Sequence, residues 1–341
     1  ADPKTIALLK SHLEKNVNAT KNGFVLAYAF DDEISLGALT SPADTDIHPA
    51  SLAWFRVWLK TEYGSIEALN REWNKDFKNF DQVMPSGFEP IRQQLKKPRL
   101  SEWNLAPWMD FRQFMDFQIS AILAELVRYT NQLVPDIPAG FVGGQGAGPW
   151  GGYDYAKLSR SVQWMEAYNI HESNEILRSF WNADRRPRMQ TFFSTKNPKA
   201  DSWFLWYHLL HGNQGAIAWP EGWFHQKDQD IAPTMLANAE MFKEIQGKIS
   251  EPFVNPKSHF VSDPIGIYYS HPSIQLSWAS DAAVHGGTWH KRLASIDDDN
   301  QSAGILRKVW CKTLEDLGFQ YEFVSYLDVK EQSPNLNQRF R

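Results

Sequence analysis

Three carboxylates, Asp31, Asp32 and Glu33, abruptly end the uncharged run FVLAYAF. A carboxyl at the end of an apolar strand, kept from water by aromatic neighbours, has its pKa raised and can hold a proton at neutral pH. Such a group can protonate the oxygen of a glycosidic bond. The same triplet could equally be an acidic loop or a helix N-cap cluster, and the pattern alone does not decide. Glu221 in AWPEGW is the preferred second carboxylate, flanked by Trp219 and Trp223. Glu166 and Tyr168 in WMEAYN are two residues apart, so on a strand they share a face. Trp150 stands in the loop-like GPWGGYDY, and the chain has 15 tryptophans. Aromatic rings facing a cleft can stack on the C–H faces of sugars, though core packing explains any single one as well.

Other polar groups read more plainly. His208 and His211 have a metal-ligand spacing with no third ligand nearby in sequence, and a helix C-terminus accounts for both. Glu172 and Glu175 fit the start of a helix. Asp184-Arg185-Arg186-Pro187-Arg188 reads as a solvated loop and Asp297-Asp298-Asp299 as an exposed turn. Nothing calls for a cofactor or a bound metal.

The elements that must position these residues follow from length and periodicity. A chain of 341 residues, 43% hydrophobic, can bury one large domain and a smaller one. A net charge of -5 leaves no electrostatic footprint for nucleic acid or an anionic membrane. No apolar run reaches membrane-spanning length. The single cysteine, Cys311, forms no internal disulfide. The chain reads as soluble, either cytoplasmic or periplasmic/secreted with the export signal outside it.

TIALLKSHLEKNV has helical spacing, broken at Lys21-Asn22-Gly23, and FVLAYAF follows as a strand expected to be buried on both faces. Two helices with a break at Gly64 come next, then a long amphipathic helix closed by Pro135. IPAGFVGG, SVQWMEAYN, RMQTFFST and GAIAWPEGW alternate as strands with helical segments. That alternation predicts an α/β fold with a parallel sheet, the later part of a (β/α)8 TIM barrel, with chemistry at the strands' C-terminal ends. No Gly-rich phosphate loop follows any strand, which argues against a doubly wound nucleotide-binding sheet.

At this point AYAFDDEISLG, followed by FRVWLKTEYGSIEALNREWNKDF, resembles glycoside hydrolase family 42, the β-galactosidase family. MDFRQFMDF, WMEAYN and HGNQGAIAW resemble further segments of it, in order. IGIYYSHPSIQLSW and LRKVWCKTLEDLGFQYEFVS resemble the flavodoxin-like domain through which that family trimerises. The resemblance implies a TIM-barrel catalytic domain over residues 1–255, from about strand four onward, and an incomplete flavodoxin-like domain over 263–341. It makes Glu33 the general acid/base, Asp32 a substrate contact standing where the family has Asn, and Tyr168 the tyrosine that orients the nucleophile. Trp150, Trp219 and Trp223 become substrate-binding candidates. A homotrimer acting on carbohydrate, without nucleic acid or membrane, is the implied assembly.

Retaining hydrolysis needs a second carboxylate ~5 Å from the acid, yet RMQTFFST, in the place of strand seven, has none. Either Glu221 supplies it, or the enzyme inverts, or the barrel binds carbohydrate without hydrolysing it. The expected reaction is cleavage of β-galactosidic or related linkages in oligo- or polysaccharides. Three preceding βα units would need roughly 30 residues each, so the barrel's beginning is expected outside this sequence.

Overall fold

Parallel strands joined by helices organise the computed structural model, which describes residues 2–36, 44, 46–168, 170–181, 187–195, 197–219, 230–255, 258, 260–292, 301–333 and 336–340. Helix α1 (Pro3–Thr20) starts on Pro3 behind the Asp2 cap and leads to strand β1 (Tyr28–Asp32). Helices α2 (Pro49–Tyr63) and α3 (Ile66–Trp73) are separated by Gly64 at φ 72°, a left-handed position suited to glycine. Ser65 then caps α3 by accepting from the Ala68 amide. Helix α4 (Phe88–Leu95) precedes α5 (Ala106–Leu133), whose end falls just before Pro135, as the steric rule for the residue before proline requires.

The rest alternates: β2 (Ala139–Gly144), α6 (Tyr155–Ser161), β3 (Trp164–Ala167), α7 (Ser173–Trp181), β4 (Arg188–Phe192), α8 (Pro198–Leu210) and β5 (Gly215–Ala218). Helices α9 (Pro233–Ile245) and α10 (Glu251–Val254) follow, then β6 (Gly266–Tyr269), α11 (His271–Ala283), α12 (Ser302–Asp316) and β7 (Glu322–Ser325).

Strands β1 to β5 form one five-stranded sheet in sequential order, and β6 pairs with β7 separately. Every pairing is parallel. Consecutive strands are therefore neighbours with their C-terminal ends on one side, the arrangement that βα crossovers produce.

The main core joins the inner faces of α5, α6 and α7 to β2 and β3, and it also takes in Tyr269 and Phe323 of the second strand pair, Tyr321 just before β7 and Ile274 of α11. A second, aromatic core packs Phe55, Trp73, Phe111 and Phe114 between α2, α3 and α5. Ring contacts such as Phe55–Phe111 at 5.3 Å fix its geometry.

Two expectations are corrected. FVLAYAF is not buried on both faces: Phe24 is 92% and Leu26 75% exposed, and the strand begins only at Tyr28. β1 lies at a sheet edge among the described residues, so one side has no strand to cover it. Arg188 is not part of a solvated loop. It lies buried in β4 and donates to the Gly212 carbonyl at 2.5 Å, and burial holds its pKa down at about 9. The residues Asp184–Arg186 and Asp297–Asp299 lie outside the described residues. No described helix is long and apolar enough to cross a membrane.

Candidate active site

Glu33 follows the last residue of β1 at the C-terminal side of the sheet, its amide donating to the Val142 carbonyl at 3.1 Å. Its φ of 50° is a left-handed conformation that costs a non-glycine residue energy and recurs at functional positions. The turn lifts the side chain off the strand and beside the end of β2. There Gln145 Nε2 reaches Glu33 Oε1 at 3.3 Å, and Gln145 is itself held by its own Nε2 on the Gly143 carbonyl and by Tyr155 donating to its backbone oxygen. From the end of β3 the Tyr168 hydroxyl hydrogen-bonds to Glu33. Burial, then that bond and the carboxylate's charge, push the phenol well above its ordinary pKa, so it stays a donor.

Glu166 lies beneath this layer on β3. It is 2% exposed and accepts from the Gly143 amide at 2.5 Å and from the Thr191 hydroxyl of β4. Burial raises its pKa against those two hydrogen bonds, and the charges of Asp32 and Glu33 add to the rise. Gly143, at φ 70°, is the hub: a Cβ there would meet Asp32 Oδ1 and lie 2.6 Å from the Glu33 amide. Glycine is thus required both by conformation and by the close approach of β1. Three carboxylates, Asp32, Glu33 and Glu166, surround one glycine, and the charges of the first two add to the rise at Glu166.

Burial was expected to fall on Glu33. Instead Glu33 and Asp32 are exposed, and the carboxyl that burial raises is Glu166. The reason is β1's edge position together with the outward turn at Glu33. Gln190 of β4, next to Thr191 and so turned to the other face of the sheet, is buried, donating to the Thr191 carbonyl at 2.9 Å and accepting from Asn174.

An aromatic face adjoins the carboxylates. Tyr168, Phe193 and Trp219 follow the ends of β3, β4 and β5, with ring centroids 6.4 Å apart for Tyr168–Phe193 and 6.1 Å for Phe193–Trp219. The second pair is stacked within 10°, and Trp219 is 40% and Phe193 59% exposed. An exposed row of flat rings beside carboxylates can bind the apolar face of a sugar.

Trp150 does not join that row. It is 4% exposed, packed against Trp108, Trp278 and Trp289, with the Arg112 guanidinium 4.3 Å above its ring. The expectation that it binds substrate at an open surface is corrected: those four side chains enclose it. Glu221 and Trp223 lie outside the described residues.

Sequence reasoning missed Gln145, Phe193 and Thr191. Gln145 could have been sought in the glycine-rich segment after β2, where polar side chains at strand ends face the site; the other two carry no such signal. A cavity of about 600 Å³ opens beside β5, lined by Gln190, His208, Asn213 and Phe242 among others. It reaches Gln190 from the side away from Glu33 and is not the place of the carboxylates.

Fold and site together define a parallel α/β protein with a carboxylate cluster and an aromatic face at its strands' C-terminal ends. The chain belongs to glycoside hydrolase family 42, whose model, described as Beta-galactosidase, matches residues 17–194. A curated β-galactosidase from Arthrobacter sp. is 28% identical over 91 residues, covering 25% of this chain and 12% of that protein. The crystal structure of the β-galactosidase from Bacillus circulans sp. alkalophilus superposes with a TM-score of 0.67 at 15% identity, covering 99% of this chain and 50% of its own. That of psychrophilic Marinomonas ef1 gives 0.58 at 14%, covering 94% and 52%. The chain thus spans about half the length of these solved β-galactosidases. Family and homologues alike are glycoside hydrolases.

Proposed function

We propose that this chain is part of a glycoside hydrolase cleaving β-galactosidic or related linkages in oligo- or polysaccharides, with Glu33 as the proton donor. The observation that carries the reading is Glu33 turned out of β1 at φ 50° and held by Gln145 and Tyr168. A general acid must be fixed within reach of the leaving oxygen, and two donors on one carboxylate fix it.

In this reading β1 to β5 are strands four to eight of a (β/α)8 barrel, and strands one to three come from sequence outside this chain. The β6–β7 unit, residues 263–341, belongs to a flavodoxin-like domain that joins three subunits, following the barrel domain of residues 1–255. The substrate ring lies on Trp219 and Phe193, and Trp223 remains a proposed substrate contact. Asp32 accepts a sugar hydroxyl, since an ionised Asp offers only acceptors. Glu166 is a supporting group: sealed beneath Gly143 and Thr191, it tunes the charge around Glu33 without meeting substrate. Glu221 remains the proposed second carboxylate.

The test is hydrolysis of a panel of neutral and sulfated β-galactosides by the wild type and by Glu33→Gln. Turnover that the variant lacks supports the reading, and equal activity in both rejects Glu33. A 2-fluoro glycoside that labels a residue other than Glu221 rejects that choice of nucleophile.

A further inference from the structure

His211 had no third ligand near it in the sequence, but the fold supplies two from far away. Glu175 comes from the first turn of α7 and Glu315 from α12, and with His211 at the end of α8 their ligand atoms all lie within 4.8 Å of one another. The geometry points to a divalent transition-metal site, of the kind that takes Zn²⁺, formed by the His211 imidazole and the Glu175 and Glu315 carboxylates. Imidazole nitrogen and carboxylate oxygen are both donors that this ion accepts, with a fourth position left to water.

The surroundings are built as an outer shell would be. Arg178 holds the other Glu175 oxygen, Oε2, at 2.6 Å, leaving Oε1 toward His211 Nδ1 at 2.7 Å. Each Glu315 oxygen receives one phenol, Tyr321 on Oε1 at 2.8 Å and Tyr207 on Oε2 at 3.1 Å, so each retains a lone pair. Tyr207 also stacks on the His211 ring at 4.1 Å and fixes its plane. Such partners orient ligands and raise affinity. Glu175 is 3% exposed, whereas the His211 side chain is 17% exposed, which leaves a path for an ion to enter.

The bland alternative is a permanent ion-pair network. With Glu175, Glu315 and Arg178 charged, the cluster carries one net negative charge before His211 is counted. A cation held by the three ligand atoms answers that charge. The ion would tie α12, which precedes β7, to α7 and α8 of the main sheet.

The experiment titrates the full chain, stripped with EDTA, with ZnCl2 by calorimetry and with CoCl2 by visible absorption, and repeats both on His211→Ala and Glu315→Gln. One equivalent of Zn²⁺, a raised Tm, and Co²⁺ d–d bands, with affinity at least about tenfold weaker in both variants, is the expected result. Two outcomes overturn the site: no saturable binding by the wild type, or equal binding by wild type and variants. Loss of stability in the variants with no response to metal in the wild type leaves the ion-pair network alone and likewise overturns it. Should His211→Ala fail to fold, Glu315→Gln, which keeps a side chain for both phenols, carries the comparison.

Discussion

Replacing Glu175 by Gln should cost the fold about 3 to 5 kcal/mol, because it leaves the Arg178 guanidinium buried without its counter-ion. Arg178 is 2% exposed, and its Nε and Nη2 both bond to Glu175 Oε2. Burial alone would raise the Glu175 pKa, but the Arg178 charge and the His211 contact outweigh it and hold the carboxyl at about 2, against an ordinary 4.5. At 1.36 kcal/mol per unit, that depression corresponds to about 3 kcal/mol of stability. The folded pKa is the lower one, so the contribution is complete above about pH 4.5 and is lost as the pH falls through about 2.

Urea unfolding of wild type and variant in EDTA, at several pH values from 7 to 2, measures the difference. The gap should be full at neutral pH and shrink by roughly 3 kcal/mol toward the acid end. A gap below about 1 kcal/mol, in the range of an exposed pair, or one independent of pH, would refute the assignment.

The remaining expectations concern the site and the thiol. Gly143→Ala, with no room at φ 70° beside Asp32 and the Glu33 amide, should displace the acid and lower kcat about 100-fold; wild-type turnover in that variant contradicts the hub. Tyr168→Phe removes a hydrogen bond to a charged group and should lower kcat/KM about 10- to 100-fold, as steady-state kinetics would read. Cys311, 2% exposed with its thiol pushed up to about 12 by burial, should react with a thiol reagent only when the protein unfolds. Rapid native labelling would show that the packing around it opens.

What could be read from the sequence depended on whether a signal was local. The helix pair around Gly64, the long α5 ending before Pro135, and the strands at GFVGG, WMEA and RMQTF each carry their own period and stop signals, and they stand where expected. The family motif around Glu33 and the helix pair is likewise continuous in sequence. Burial of β1 was not readable, because it depends on which neighbour covers an edge strand. Arg188 and Trp150 were misjudged for a related reason: composition favours a loop for arginines and a binding face for a tryptophan among glycines, but tertiary packing decided both. Glu166 and Gln145 required the register between β1, β2 and β3, which places residues 33, 143 and 166 together. His211, Glu175 and Glu315 needed three helices to converge.

The account rests on Glu33 being the group that protonates the leaving oxygen. The direct measurement compares wild type and Glu33→Gln on two β-galactosides, one with a poor alkyl leaving group and one with a dinitrophenolate that needs no proton. Loss of about 10²- to 10⁴-fold on the first, with the second largely spared, is the predicted result. Equal loss on both, or no loss on the alkyl galactoside, would contradict it.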